Sequence, residues 1–193
     1  IDTVVARFGA SATPSLKGGT NYAYAGARTG SVPGVTGAAA STVPTLLAQF
    51  NTLLLANGNR INPNALMVVD ASAFGNNIRD ALALIAANPA GATTIVTNVV
   101  TSGVTDVVAI LNLIFNTGGR NVLVVNVPDV GKTPAIQSLG SAALAGAATQ
   151  KHSRVVWRRI VGQGHHAGRL FRFVRAGQHA VERVVIGRRN RIE

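Results

Sequence analysis

The sequence predicts an α/β fold, with a parallel sheet flanked by helices, and three observations predict it. Two short apolar runs, residues 65–70 and 121–126, are rich in β-branched side chains and have the length of buried strands. The stretches around them repeat apolar residues at helical spacing. The resulting order is helix, helix, strand, helix, helix, strand, helix, and apolar strands separated by helices belong to a parallel sheet covered on both faces.

Each element is justified by local residues. Residues 2–8 read as the end of a short helix closed by Gly9, and residues 10–40, rich in Gly, Ser, Thr, Pro and Ala, read as loop. Ser41 and Thr42 ahead of Pro44 offer a helix cap and an early helical proline. Leu46, Leu47, Phe50, Leu53 and Leu54 then share one helical face, and Asn57-Gly58 ends it. After the first strand and a loop, a helix is expected over about residues 77–87, stopped near Pro89. Residues 92–116 place Val104, Val107, Val108, Leu111 and Phe115 on one stripe, while Thr and Val ahead of Gly103 weaken the first half. Gly118-Gly119 breaks this segment before the second strand. A loop and an Ala-rich helix over residues 134–150 complete the series.

The chain has 193 residues, 47% of them hydrophobic, enough for one domain with a sizeable core and too many for a disordered chain. It has no Cys, which excludes disulfides and thiolate metal sites. No run of 18 apolar residues occurs, so no membrane-spanning helix is expected; the most apolar stretch, residues 107–115, is interrupted by Asn112. Charge divides the chain. Residues 1–150 carry seven bases and five acids, whereas residues 151–193 carry eleven bases against Glu182 and Glu193, together with all four His and the single Trp. The predicted boundary therefore falls at 150, between an α/β domain and a basic segment.

Three segments of the first part carry chemistry together. The first is Gly18-Gly19-Thr20-Asn21-Tyr22-Ala23-Tyr24-Ala25-Gly26-Ala27-Arg28-Thr29. The second is the strand Ala65-Leu66-Met67-Val68-Val69-Asp70 leading to Asn76-Asn77-Ile78-Arg79-Asp80-Ala81-Leu82. The third is Asn121-Val122-Leu123-Val124-Val125-Asn126-Val127-Pro128-Asp129-Val130-Gly131-Lys132-Thr133-Pro134. Jointly they resemble the GDSL (SGNH) esterase and lipase family, in particular its bacterial lipase-like and autotransporter-esterase branch, over residues 1–150. The resemblance implies an SGNH-hydrolase-like sheet, incomplete here, and a serine ester hydrolase that cleaves carboxylic esters through an acyl-enzyme. It implies Gly26 and Asn76 as the oxyanion-hole donors. Those residue types suit that role. A glycine in a tight loop aims its N–H without a side chain in the way, and an Asn amide near a strand's carboxyl end can converge on the same oxygen. The plainer reading gives Gly26 a turn and Asn76 a helix cap.

The chain departs from the family pattern in three places. No Gly-Asp-Ser-Leu block is present, and residues 1–30 already match the part of the family downstream of that block, so the nucleophile is expected upstream of Ile1. In the block of pattern Gly-x-Asn-Asp, Phe74 stands for the Gly and Asn77 for the Asp, as a short insertion around residues 71–74 would produce. None of His152, His165, His166 and His179 has an Asp three residues before it, and no Asp occurs after Asp129, so the Asp-x-x-His base is missing. A serine needs such a base to take its proton, and the chain alone is expected to be inactive. Ser72 lies between a strand and a helix, as an elbow nucleophile would, but lacks flanking glycines. Asp129 belongs to the wrong block for the triad acid.

The resemblance implies a small-molecule or lipid ester substrate, no metal or organic cofactor, and an extracellular or surface destination, although no signal peptide is visible at Ile1. The basic segment has no counterpart in the family. Arg169, Arg172 and Arg175 beside Leu170, Phe171 and Phe173 suit a nucleic-acid-binding arm, and the alternative function is an anionic-polymer binder on a non-catalytic α/β scaffold. Attraction to a membrane surface is another reading. The favoured reading is a translated frameshift, which in a GC-rich gene turns Ala codons into Arg, Gly and His. His165-His166 has no third ligand at a usable spacing.

Overall fold

The computed structural model describes residues 6, 9, 11–32, 34, 42–125, 132–137, 171–176 and 181–186. Helix α1, Leu46–Ala56, is capped by Thr45, whose Oγ1 accepts from the Ala48 N–H at 3.2 Å. The cap thus lies after Pro44 and not at Ser41 or Thr42. Pro44 stays outside the helix, and its carbonyl accepts from the buried Gln49 amide at 2.8 Å. Phe50 and Leu54 enter the core, with Leu46, Leu47 and Leu53 packed against it, as the periodicity requires.

Strand β1, Leu66–Asp70, leads into a 3₁₀ turn, Ala71–Ala73, and then directly into helix α2, Phe74–Ala87. The expected loop before residue 77 is therefore absent. Asp70 explains the difference: its Oδ1 accepts from the Ser72 N–H at 2.9 Å, capping the turn that feeds the helix. After a second 3₁₀ turn at Pro89–Gly91, helix α3 runs unbroken over Ala92–Asn116. Gly103 is buried near its centre. A Cβ there would lie 2.1 Å from the Phe74 ring, so the glycine lets α2 and α3 approach closely. Val99, Val104, Val107, Ile110, Leu111 and Ile114 form the buried stripe of α3, each contributing about 1.5–3 kcal/mol of apolar burial.

By length and composition α3, with the turn before it, is long and apolar enough to cross a membrane, although it holds no run of 18 consecutive apolar residues. Thr, Ser, Gly and Asn interrupt the apolar run yet add no charge. Within this fold the buried stripe of α3 lies in the hydrophobic core, the position of a central core helix.

Strand β2, Asn121–Val125, pairs parallel with β1, Leu66 opposite Asn121 and Asp70 opposite Val125. A parallel pair needs a long crossover, and α2 and α3 provide it. Val69, Val122 and Val124 are buried, and Met67 packs beside them, whereas Leu66 is exposed and Val68, Leu123 and Val125 are half-buried. Among the described residues the strands therefore alternate, with one face on the core, instead of being covered equally on both faces. Helix α4, Pro134–Gln137, is the described part of the helix expected over 134–150. Strands β3, Phe171–Ala176, and β4, Val181–Ile186, extend the sheet in the order β1-β2-β3-β4. β3 is parallel to β2, and β4 is antiparallel to β3, so the sheet is mixed. The chain is thus a mixed α/β protein. The expected helix at residues 2–8 lies outside the described residues except for Ala6, whose carbonyl accepts from the Gly9 N–H at 3.1 Å.

Candidate functional site

The segment from Tyr24 to Val32 has no regular secondary structure, yet Ala27, Arg28, Thr29 and Val32 are buried. Buried loop backbone needs partners for its polar groups, and helices α1, α2 and α3 supply them. The segment opens with a tight turn, in which the Ala27 N–H donates to the Tyr24 carbonyl at 3.3 Å. Gly26 occupies the third position with φ +77°, the sign a type II turn requires there. Gly26 is exposed, and its N–H has no acceptor among the described residues.

Asn76, in the first turn of α2, donates from Nδ2 to the Ala27 carbonyl at 2.7 Å. It caps no helix; α2 has no side-chain cap. Asn76 is thus bonded to the residue that follows Gly26. Asn76 follows the carboxyl end of β1 by six residues, and open α/β sheets place their binding sites at that end of their strands.

A buried polar network, only partly foreseen, holds the rest of the segment. Asn77 is fully buried; its Oδ1 accepts from the Thr29 N–H at 3.1 Å, and its Nδ2 donates to Thr29 Oγ1 at 2.8 Å. The Thr29 hydroxyl in turn donates to Asp106 Oδ2 on α3 at 2.8 Å. Beside it, a Cβ on Gly30 would lie 2.5 Å from the same carboxylate oxygen, so the loop backbone rests directly on Asp106. Burial pushes the Asp106 carboxyl above its ordinary range, and the Thr29 hydrogen bond offsets this only in part. One residue earlier, the Arg28 guanidinium pairs with Asp80 of α2, both side chains being almost wholly buried, and the Arg28 carbonyl accepts from the Leu46 N–H at the start of α1. Arg79, largely exposed, reaches the other oxygen of Asp80 at 3.7 Å.

Sequence reasoning singles out Asn77 only as a departure from a motif and does not pair Arg28 with Asp80 or Thr29 with Asp106. One signal was available. Asp106 is the single charge in the apolar segment 92–116, set between Val104 and Val107, and a charge at that position needs a polar partner from elsewhere in the chain.

Ser72 lies in the strand–turn–helix setting of an elbow nucleophile. However, Asp70 and Phe74 occupy the glycine positions, and Asn59 is the only residue with a side chain and a positive φ among the described residues. The strained elbow backbone is not present at Ser72. Asp129, all four histidines and the first part of the 128–134 loop lie outside the described residues. Among the described residues no three His, Cys, Asp or Glu side chains come together as a metal site would require. Compared with known proteins, the chain matches no family model and no curated protein.

Proposed function

We propose that this chain is the oxyanion-binding part of a GDSL (SGNH)-type serine ester hydrolase acting on carboxylic or lipid esters outside the cell. The observation that supports the reading is the hydrogen bond from Asn76 to the carbonyl of Ala27, the residue that follows the Gly26 turn. An oxyanion hole needs fixed donors aimed at one point. The Gly26 N–H is exposed and without an acceptor among the described residues. The Asn76 amide uses one N–H to grip the Ala27 carbonyl, which fixes its orientation, and its second N–H has no acceptor among them. In this reading both donors stabilise the tetrahedral oxyanion, while a serine and a histidine from a Gly-Asp-Ser and an Asp-x-x-His block perform the attack and the proton transfer. The fold reading that goes with it is an SGNH-like sheet completed by those blocks.

The test begins with the coding DNA, read in every frame from well upstream of Ile1 to well past Glu193. The restored frame is then expressed and assayed on p-nitrophenyl esters of several acyl lengths. The expected result is a Gly-Asp-Ser block upstream, an Asp-x-x-His in another frame beyond codon 150, and ester hydrolysis that Asn76→Ala reduces by about 10²–10³-fold. An intact frame with neither block, and a product without esterase activity, would overturn the reading.

A further inference from the structure

We propose that the Thr29–Asp106 contact is a proton-operated latch, holding segment 27–32 against helix α3 when the Asp106 carboxyl is protonated and easing its release when the carboxyl ionises. The inference does not depend on the esterase reading; it rests on how the segment is closed down. Thr29 is fully buried, and its hydroxyl accepts from Asn77 and donates to Asp106, so its donor is committed. Gly30 lies so close to the carboxylate that even a methyl group would not fit, and this backbone covers one side of the half-buried Asp106. The groups facing Asp106 are the Thr29 hydroxyl and the Gly30 backbone from the segment, with Asn77 of α2 behind Thr29. Arg28, the nearest cation in sequence on the segment, is committed to Asp80, and among the described residues no cation forms an ion pair with Asp106.

A half-buried carboxylate whose covered side meets only a neutral hydroxyl and a glycine backbone lacks a compensating charge there, so ionisation favours the arrangement that admits more water. The neutral acid avoids that penalty and keeps its carbonyl oxygen as the acceptor for Thr29. The upward displacement of the Asp106 titration agrees with this direction. Lifting the segment would carry the Gly26 turn with it, since Gly26 joins Ala27 directly.

Hydrogen exchange of the full 193-residue chain, measured by NMR as protection factors across the acid-to-neutral range, tests the latch. The reporter is the Thr29 amide, whose acceptor is Asn77 Oδ1; the control is Ile110 in the buried stripe of α3. The expected result is a progressive loss of Thr29 protection as pH rises, with no matching loss at Ile110, and a pH-independent Thr29 in Asp106→Asn. A Thr29 amide whose protection tracks Ile110 at every pH, or which responds to pH equally in Asp106→Asn, overturns the proposal. Should Asp106→Asn not fold, titration of the Asp106 carboxyl carbon in the unsubstituted chain decides. If the latch operates, the midpoint of the Thr29 loss coincides with that titration, and a mismatch overturns it.

Discussion

Thr29 and Asn77 hold each other through two hydrogen bonds, the Thr29 N–H to the Asn77 side-chain oxygen at 3.1 Å and the Asn77 amide to the Thr29 hydroxyl at 2.8 Å. This pair converts an irregular loop into a buried part of the core, because it satisfies one backbone donor and one hydroxyl that water cannot reach. It also links the start of α2 to Asp106 on α3 through a single side chain.

Substitution of Asn77 should therefore affect stability in a way that depends on chemistry as well as size. Asn77→Ala leaves the buried Thr29 N–H without an acceptor and is expected to lower stability by about 1–3 kcal/mol. Asn77→Asp keeps that acceptor but loses the donor to the Thr29 hydroxyl, and it places a second carboxylate on the far side of Thr29 from Asp106. Its loss should be larger at neutral pH, where both carboxylates are charged, than in acid. Urea denaturation of both variants at the two conditions checks this; an Asn77→Asp loss that does not change with pH would contradict the network.

Gly103 offers a packing test. Alanine in a helix interior ordinarily gains about 1 kcal/mol over glycine. Here its methyl group would lie 2.1 Å from the ring of Phe74, which is itself buried. Overpacking of this kind costs about 1–3 kcal/mol, so Gly103→Ala should lower the thermal midpoint, and Gly103→Ala combined with Phe74→Leu should recover part of the loss. A higher midpoint for Gly103→Ala alone would show that α2 and α3 do not approach so closely.

The same residue shows what the sequence could and could not reveal. The stripe of α3 and the apolar strands were legible because period and composition are local properties. The purpose of Gly103 is not legible, because the Phe74 ring that requires a glycine there lies 29 positions earlier in the chain. The start of α2 lies at Phe74, ahead of the expected residue 77, because Asp70 acts as a cap from the strand's own last position. Gly26 and Asn76 were singled out by motif, whereas the Arg28–Asp80 and Thr29–Asp106 pairings span 52 and 77 residues. No local pattern reports such pairs; only the general need of a buried charge for a partner does.

Arg28 and Asp80 form a pair shielded from solvent, with side-chain exposures of 10% and 12%. Removing one partner leaves the other charge buried, and such single losses run to about 3–5 kcal/mol. Arg28→Ala and Asp80→Ala should each be severe, and the double variant should lose much less than the two single losses added together. A double-mutant cycle by chemical denaturation measures the difference. Strict additivity would mean that the two side chains do not interact.

Asp106→Asn is expected to raise stability at neutral pH. The carboxyl titrates above its ordinary value of 3.8 in the folded chain because burial penalises its charge. A group whose folded titration is displaced upward contributes stability that is fully present below the unfolded value and is lost as pH rises through the folded one. At neutral pH the ionised Asp106 has therefore lost that contribution. Asparagine carries no charge and keeps an oxygen to accept from the Thr29 hydroxyl, so its stability should not decline through this window. Urea denaturation over a pH series should give two curves that lie close together in acid and separate from about 3.8 upward, with the variant above. A variant uniformly less stable at every pH would mean that the Thr29 hydrogen bond to the charged carboxylate outweighs its desolvation.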